Sequence, residues 1–330
     1  MEKKSIINKV KPTDNNEVSL LLIAVGIVVI MAFISPSFLT GSNFSGMASQ
    51  IPEFGIMCFG MMIAMMAGGI DLSLVGTANL SGIIAALVMI KMGPNPVSIA
   101  TGIVVALIIG ALCGLFNGYF IGQLRIPAML VTLCGGQLFT GLGVAITKGP
   151  AITGLPPAVM TISNGLIGGI FPASLFIFII VAIIMNFILK YTIYGKHLCF
   201  MGTNDTASRY AGINNLKVTL KTYMLSGILA AVSGIIILSH YGSAKSDYGT
   251  SYVLLTLLIV VLGGVDTSGG KGKVLGVTLA IIVLQLISNA FNILRFSTFV
   301  KTFVWGLLLV LVMVFRTVIQ SQSIKLWRRK

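Results

Sequence analysis

Acidic side chains are scarce in this chain. Asp and Glu supply 8 of 330 residues, and all charged residues together make up 9%. A water-soluble domain normally carries about 25% charged residues, so a water-facing surface is excluded for most of the molecule. Cysteines number four: Cys58, Cys113, Cys134 and Cys199. They are scattered and form no CxxC pair, which leaves them as small packing residues and not a disulfide or metal framework. The two histidines, His197 and His240, are far apart, and no metal site is expected. No HExxH, GxSxG or paired carboxylate occurs in the apolar runs, so the known signatures of a membrane enzyme are missing.

What remains is apolar. Hydrophobic residues make up 56% of the chain, and the mean hydropathy is +1.01. Apolar runs of about 20 residues recur, the length of a membrane-spanning helix. They do not alternate polar with apolar, as strands of a membrane barrel would. The expected fold is an all-α integral membrane protein of about ten transmembrane helices. The spans fall near 19–35, 51–68, 74–91, 97–122, 127–147, 172–190, 218–240, 251–264, 274–294 and 298–316. The polar start is followed by LLLIAVGIVVIMAFI with no small-residue cleavage site, which reads as an uncleaved first span.

The net charge of +14 serves topology here and not nucleic-acid binding. With a cytoplasmic N-terminus, 17 of the 22 Lys and Arg fall on the cytoplasmic side. That bias sets orientation and places both termini in the cytoplasm. The expected organisation is a tail at 1–18, one membrane domain at 19–316 and a basic tail at 317–330. The longest cytoplasmic connection is 191–217. The eight acids all map near span ends or in loops, which disfavours an ion-coupled carrier with a midplane carboxylate.

A repeat stands out. GGIDLS at 68–73 returns as GGVDTS at 263–268. Each copy lies between two spans and holds a glycine pair, a β-branched residue, an acid and a serine: Gly68, Gly69, Asp71 and Ser73, then Gly263, Gly264, Asp266 and Ser268. The structural reading is a tight turn whose Asp caps the next helix. Substrate contact and subunit-interface packing remain the alternatives. GGVDTSGGKGK lacks the G-K-[ST] ending of a phosphate loop, so ATP binding by this chain is rejected.

In the inner loop, TNDTASRYAGI offers the N-cap types Asn204, Asp205 and Thr206, then Ala207, Arg209 and Tyr210, then Gly212 as a left-handed stop. A short helix is expected, with Ala207 and Ala211 one turn apart. It reads as a surface for a close partner or as an ordinary surface helix. The ninth span carries Gln285, Asn289 and Asn292 at spacings that share one helix face. That stripe lines a polar path or bonds to another helix. Asn117 and Asn186 are weaker candidates of the same kind. The outer segment SHYGSAKSDYGTSY holds Lys245, Asp247 and interfacial tyrosines, which read as membrane anchors or as part of an outer mouth.

Together these pieces resemble the permease subunit of bacterial ABC importers for monosaccharides, the ribose-type family. AGGIDLSLVGTANLSG is similar to its early signature and IPAMLVTLCGGQLFTGLGVAITKG to its fifth-span region. YGKHLCFMGTNDTASRYAGINNLKV resembles its ATPase-docking loop. SGILAAVSGIIILSHYGSAKSDYGTSY followed by VVLGGVDTSGGKGKVLG resembles its late signature. The resemblance runs from about residue 50 to 316. It implies a multi-pass permease in the bacterial plasma membrane, with no catalytic residue and no cofactor. It also implies partners: an ABC ATPase docking near Asn204 to Gly212, an extracytoplasmic sugar-binding protein, and a second permease chain, identical or sister, around a central path.

Overall fold

A computed structural model describes residues 12–169 and 171–327. Thirteen helices occupy them: α1 (Pro12–Ile34), α2 (Gly41–Met66), α3 (Leu74–Met92), α4 (Pro96–Gly122), α5 (Ala128–Thr147), α6 (Pro157–Asn164), α7 (Ala173–Tyr191), α8 (Ile193–Thr203), α9 (Asp205–Tyr210), α10 (Asn215–Tyr241), α11 (Tyr252–Leu262), α12 (Val274–Ile293) and α13 (Thr298–Trp327). A two-residue hairpin, β1 (Leu166–Ile167) with β2 (Phe171–Pro172), is an addition to the expected all-α architecture.

Eight helices are long and apolar enough to cross a membrane, and α11 with part of α13 forms two shorter apolar segments. The eight and the two shorter segments match the ten expected spans in order. The expected and observed boundaries differ most at the tenth and second spans: α13 continues to Trp327, eleven residues into the expected tail at 317–330. Helix α2 begins at Gly41, ten residues before the expected start, because GSNFSGMASQ is polar by composition yet helical. Its first turns pack Met47 with Met31 of α1 and Leu286 of α12. Pro52 lies inside α2 without ending it. Glu53 is therefore the thirteenth residue of a 26-residue helix. The expectation that every acid sits at a span end fails there.

The helices form two layers. Helices α2, α3, α10 and α12 are mostly buried, whereas α1, α4, α5 and α7 leave most of their apolar surface outward. Such outward Leu, Ile and Phe are stable only against lipid or another apolar surface. The inner layer is tight because of small residues. A Cβ on Gly114 of α4 would lie 2.1 Å from the Tyr223 carbonyl oxygen of α10. One on Gly227 of α10 would lie 2.0 Å from the Gly110 oxygen. Glycines four residues apart let two backbones meet where hydrophobic exclusion adds little driving force.

Candidate functional site

The two copies of the repeat form matching turns. In the first, Asp71 Oδ1 accepts from the Ser73 N–H at 3.0 Å and the Ser73 hydroxyl at 2.6 Å. In the second, Asp266 Oδ1 accepts from the Ser268 N–H at 3.0 Å and its hydroxyl at 2.6 Å. The left-handed glycine differs between the copies: it is the first of the pair in one, Gly68 at φ +85°, and the second in the other, Gly264 at φ +93°, a region that only glycine occupies without strain. Neither acid caps a helix as the sequence suggested. The N-cap of α3 is Ser73, with no side-chain cap bond. The N-cap of α12 is Lys273, seven residues beyond Asp266. The carboxylates close their own Asp-x-Ser turns instead.

Their surroundings differ. Asp71 is 2% exposed, and its Oδ2 accepts from the Ser226 hydroxyl of α10 at 2.6 Å. The Asn117 amide of α4 donates to Ser73 Oγ at 2.8 Å. Burial raises the Asp71 pKa above the ordinary carboxylate value, and the serine hydrogen bonds oppose that rise. Asp266 is only half-buried. The shared GGxDxS pattern thus produces a buried polar knot in one copy and a surface turn in the other.

The two turns lie side by side. The Gly270 N–H donates to the Met66 carbonyl at 2.9 Å, which joins the end of α2 to the loop before α12. Gly202 of α8 sits over this seam. A Cβ there would lie 1.8 Å from the Met66 oxygen and 2.5 Å from the Gly270 nitrogen. The α8–α9 segment therefore rests at backbone distance on Met66, two residues before the first copy of the repeat, and on Gly270, two residues after the second.

Helix α9 projects from this base. The Asn204 side chain caps it by accepting from the Ala207 N–H at 2.9 Å. Its end is a Schellman motif, with Gly212 N–H to Arg209 O, Ile213 N–H to Ser208 O and Gly212 at φ +82°. Arg209 pairs with Asp205 at 2.7 Å. Asn215 at the start of α10 donates to Asp205 Oδ1 at 2.6 Å and exchanges a bond with Ser208. These bonds fix the helix, while Ala207, Arg209, Tyr210 and Ala211 stay exposed. Tyr210 is 91% exposed.

The polar stripe of α12 is brought together along α2 and α13. Gln285 donates to Gln50 Oε1 of α2 at 3.0 Å. Asn289 is buried with its amide nitrogen unpartnered. Asn292 is exposed and accepts from Lys301 of α13. Gln285 thus bonds helix to helix. Asn117 does not join this stripe, since it belongs to the Asp71 knot.

Sequence reasoning missed the group around Glu53. Glu53 is 1% exposed. Its Oε1 accepts from His240 Nδ1 of α10, and its Oε2 accepts from the Tyr252 hydroxyl of α11 at 2.8 Å. The one signal was an acid two residues inside an expected span. Gly202 was missed too, because nothing in the sequence marks which loop glycine lies against another backbone.

A family model described as "Branched-chain amino acid transport system / permease component" matches residues 43–313. The chain belongs to this permease family. The curated relatives are similar over nearly their whole length. A ribose import permease protein of Haemophilus influenzae is 32% identical over 83% of this chain and 84% of its own. An L-arabinose transport system permease protein of Escherichia coli is 29% identical over 91% and 90%. An autoinducer 2 import system permease protein of Photorhabdus laumondii is 28% identical over 83% of each. No solved structure matches significantly. The permease is thus a membrane subunit of the sugar ABC-importer type, at home in the inner membrane. It is not an enzyme, and ATP hydrolysis lies with a separate subunit.

Proposed function

We propose that this permease forms half of a transmembrane path for a small hydroxylated substrate, a pentose or related monosaccharide. An extracytoplasmic binding protein delivers the substrate, a second permease chain completes the path, and an ABC ATPase docks on α9. Ten spans with both termini cytoplasmic fit the charge bias. The observation that carries the reading is the mounting of α8–α9. The exposed helix α9 follows Gly202, which packs at backbone distance on Met66 and Gly270, the residues that flank the two repeat turns. A push on α9 then reaches the ends of α2 and the approach to α12 without a flexible link. Such a push drives transport only where ATP changes the relative stability of the inward and outward states.

The test is co-expression of the permease with its neighbouring genes, purification in mild detergent, and reconstitution into liposomes. The expected result is a complex with an ATPase that takes up pentose with ATP after an ionophore has collapsed ion gradients. A second reading, an ion-coupled carrier, is favoured by Glu53, a buried carboxylate inside α2. Uptake that stops with the ionophore and ignores ATP would select that reading.

A further inference from the structure

The end of the bundle opposite α9 carries a polar and aromatic group that the transport reading has not used. Helix α10 runs from Asn215, bonded to α9, to Tyr241. Its 27 residues span about 40 Å at about 1.5 Å per residue. His240, one residue before that far end, lies on the extracytoplasmic side by the charge bias.

Three features of this group bear on recognition of a polyol. The first is orientation of the imidazole. A buried carboxylate can only accept, so Glu53 Oε1 holds the proton on His240 Nδ1. Nε2 is left as the ring's open polar atom, on a side chain that is 27% exposed. The second is rigidity. Tyr252 occupies the other Glu53 oxygen at 2.8 Å, and the Ser233 hydroxyl donates to the Glu53 carbonyl. The Tyr252 bond thus holds the carboxylate toward the histidine, while the Ser233 bond ties down the Glu53 backbone. The third is an aromatic ledge. The His240 and Tyr241 rings stack at 5.2 Å and 24°, and Tyr241 meets Tyr248 at 4.9 Å and 30°. Tyr241 is 53% exposed. The ledge is anchored, since the Asn79 amide of α3 donates to the carbonyl of Tyr248 at 2.8 Å. An oriented nitrogen beside a half-exposed tyrosine is the chemistry that recognises a sugar: a hydroxyl bonds the nitrogen, and an apolar C–H group meets the exposed part of the ring.

We propose that His240 and Tyr241 form the first permease contact for the hydroxylated substrate on the extracytoplasmic side, with Glu53 and Tyr252 as positioning residues. The proposal rests on the importer reading and specifies where on this chain the sugar is met. It differs from a membrane anchor, because an anchor needs neither a buried carboxylate behind the histidine nor a fixed imidazole.

The test uses the reconstituted complex with its binding protein unchanged. The probes are radiolabelled D-ribose and its 2-deoxy analogue. His240→Asn keeps a group near Glu53 but removes the outer nitrogen, and His240→Gln restores a polar atom near the Nε2 position. Tyr241→Ala removes the ledge at an exposed site. Retention of the ATPase through purification controls for folding. The expected result is that His240→Asn and Tyr241→Ala lower uptake roughly three- to tenfold, the range of one lost hydrogen bond. His240→Gln recovers part of the loss, and the preference between the two sugars shifts in His240→Asn. Uptake and sugar preference equal to wild type in both His240→Asn and Tyr241→Ala would overturn the proposal. So would equal loss in His240→Asn and His240→Gln with an unchanged preference, the mark of a merely structural role. A wild-type complex with no ATP-driven uptake fails the importer reading itself, and that outcome is separate from any variant.

Discussion

Substituting Gly202 by alanine tests how α8–α9 is mounted on the membrane helices. The added Cβ would fall 1.8 Å from the Met66 oxygen and 2.5 Å from the Gly270 nitrogen. Carbon needs about 3 Å or more from either atom, so α8 must withdraw by about 1 Å. Both neighbours are backbone atoms and no rotamer change relieves them. The same two atoms share the 2.9 Å hydrogen bond that joins the end of α2 to the loop before α12, so withdrawal or distortion weakens that seam. Overpacking costs about 1–3 kcal/mol, and a lost backbone bond adds about 1 kcal/mol. The sum, about 2–4 kcal/mol, is expected to lower Tm by on the order of 5 °C. The assay is thermal unfolding of the purified chain in detergent, paired with retention of the co-expressed ATPase. Gly141→Ala is the control. Gly141 lies inside α5, and a Cβ there meets nothing within 4 Å, so alanine should be neutral or slightly stabilising. If Gly202→Ala matches Gly141→Ala in both measurements, the close seating of α8 on the repeat turns is wrong.

Four further outcomes are expected. Asp71→Ala should cost about 2–4 kcal/mol because it strands buried serine hydroxyls, whereas Asp266→Ala should cost about 1 kcal/mol or less. Unfolding of the two variants side by side measures the difference. The Asp71 pKa is raised in the fold above its ordinary 3.8, so the folded chain binds that proton more tightly than the unfolded one. Its contribution to stability is full below pH 3.8 and is lost as pH rises through the raised value. Asp71→Asn should flatten that slope in a Tm-against-pH series, and an unchanged slope would assign it to other groups. Tyr210→Ala, at a 91% exposed position, should leave Tm within about 0.5 kcal/mol equivalent yet reduce ATPase retention. Equal retention would move docking off α9. Gln285→Leu alone should cost about 1–2 kcal/mol by leaving Gln50 unpartnered. The Gln50→Leu/Gln285→Leu pair should recover most of that loss in a double-mutant cycle.

Composition and periodicity settle much of this protein. Scarce charge and apolar runs of helical length require membrane helices, because a lipid-facing backbone must satisfy its own hydrogen bonds. Asn204 and Gly212 mark the ends of α9 because capping is local chemistry, readable within a few residues. The matched GGxDxS pattern produced matched turns for the same reason: each Asp bonds a serine two residues away. Partners distant in sequence were not legible. Asp71 and Asp266 look alike in the chain, yet only Asp71 meets a serine 155 positions on. Asn117 looked like a lining residue until packing of α4 against the α2–α3 turn made it part of the Asp71 knot. Glu53 looked like a span-end acid because polar residues hid the first ten of α2. Its His240 and Tyr252 partners lie 187 and 199 residues away. Local hydrogen bonding and hydropathy act over a turn or a span, so the sequence alone determined where helices, turns and caps form. Which polar groups meet, and which glycines must stay bare, depends on how close the helices come to one another, and that only the tertiary structure decided.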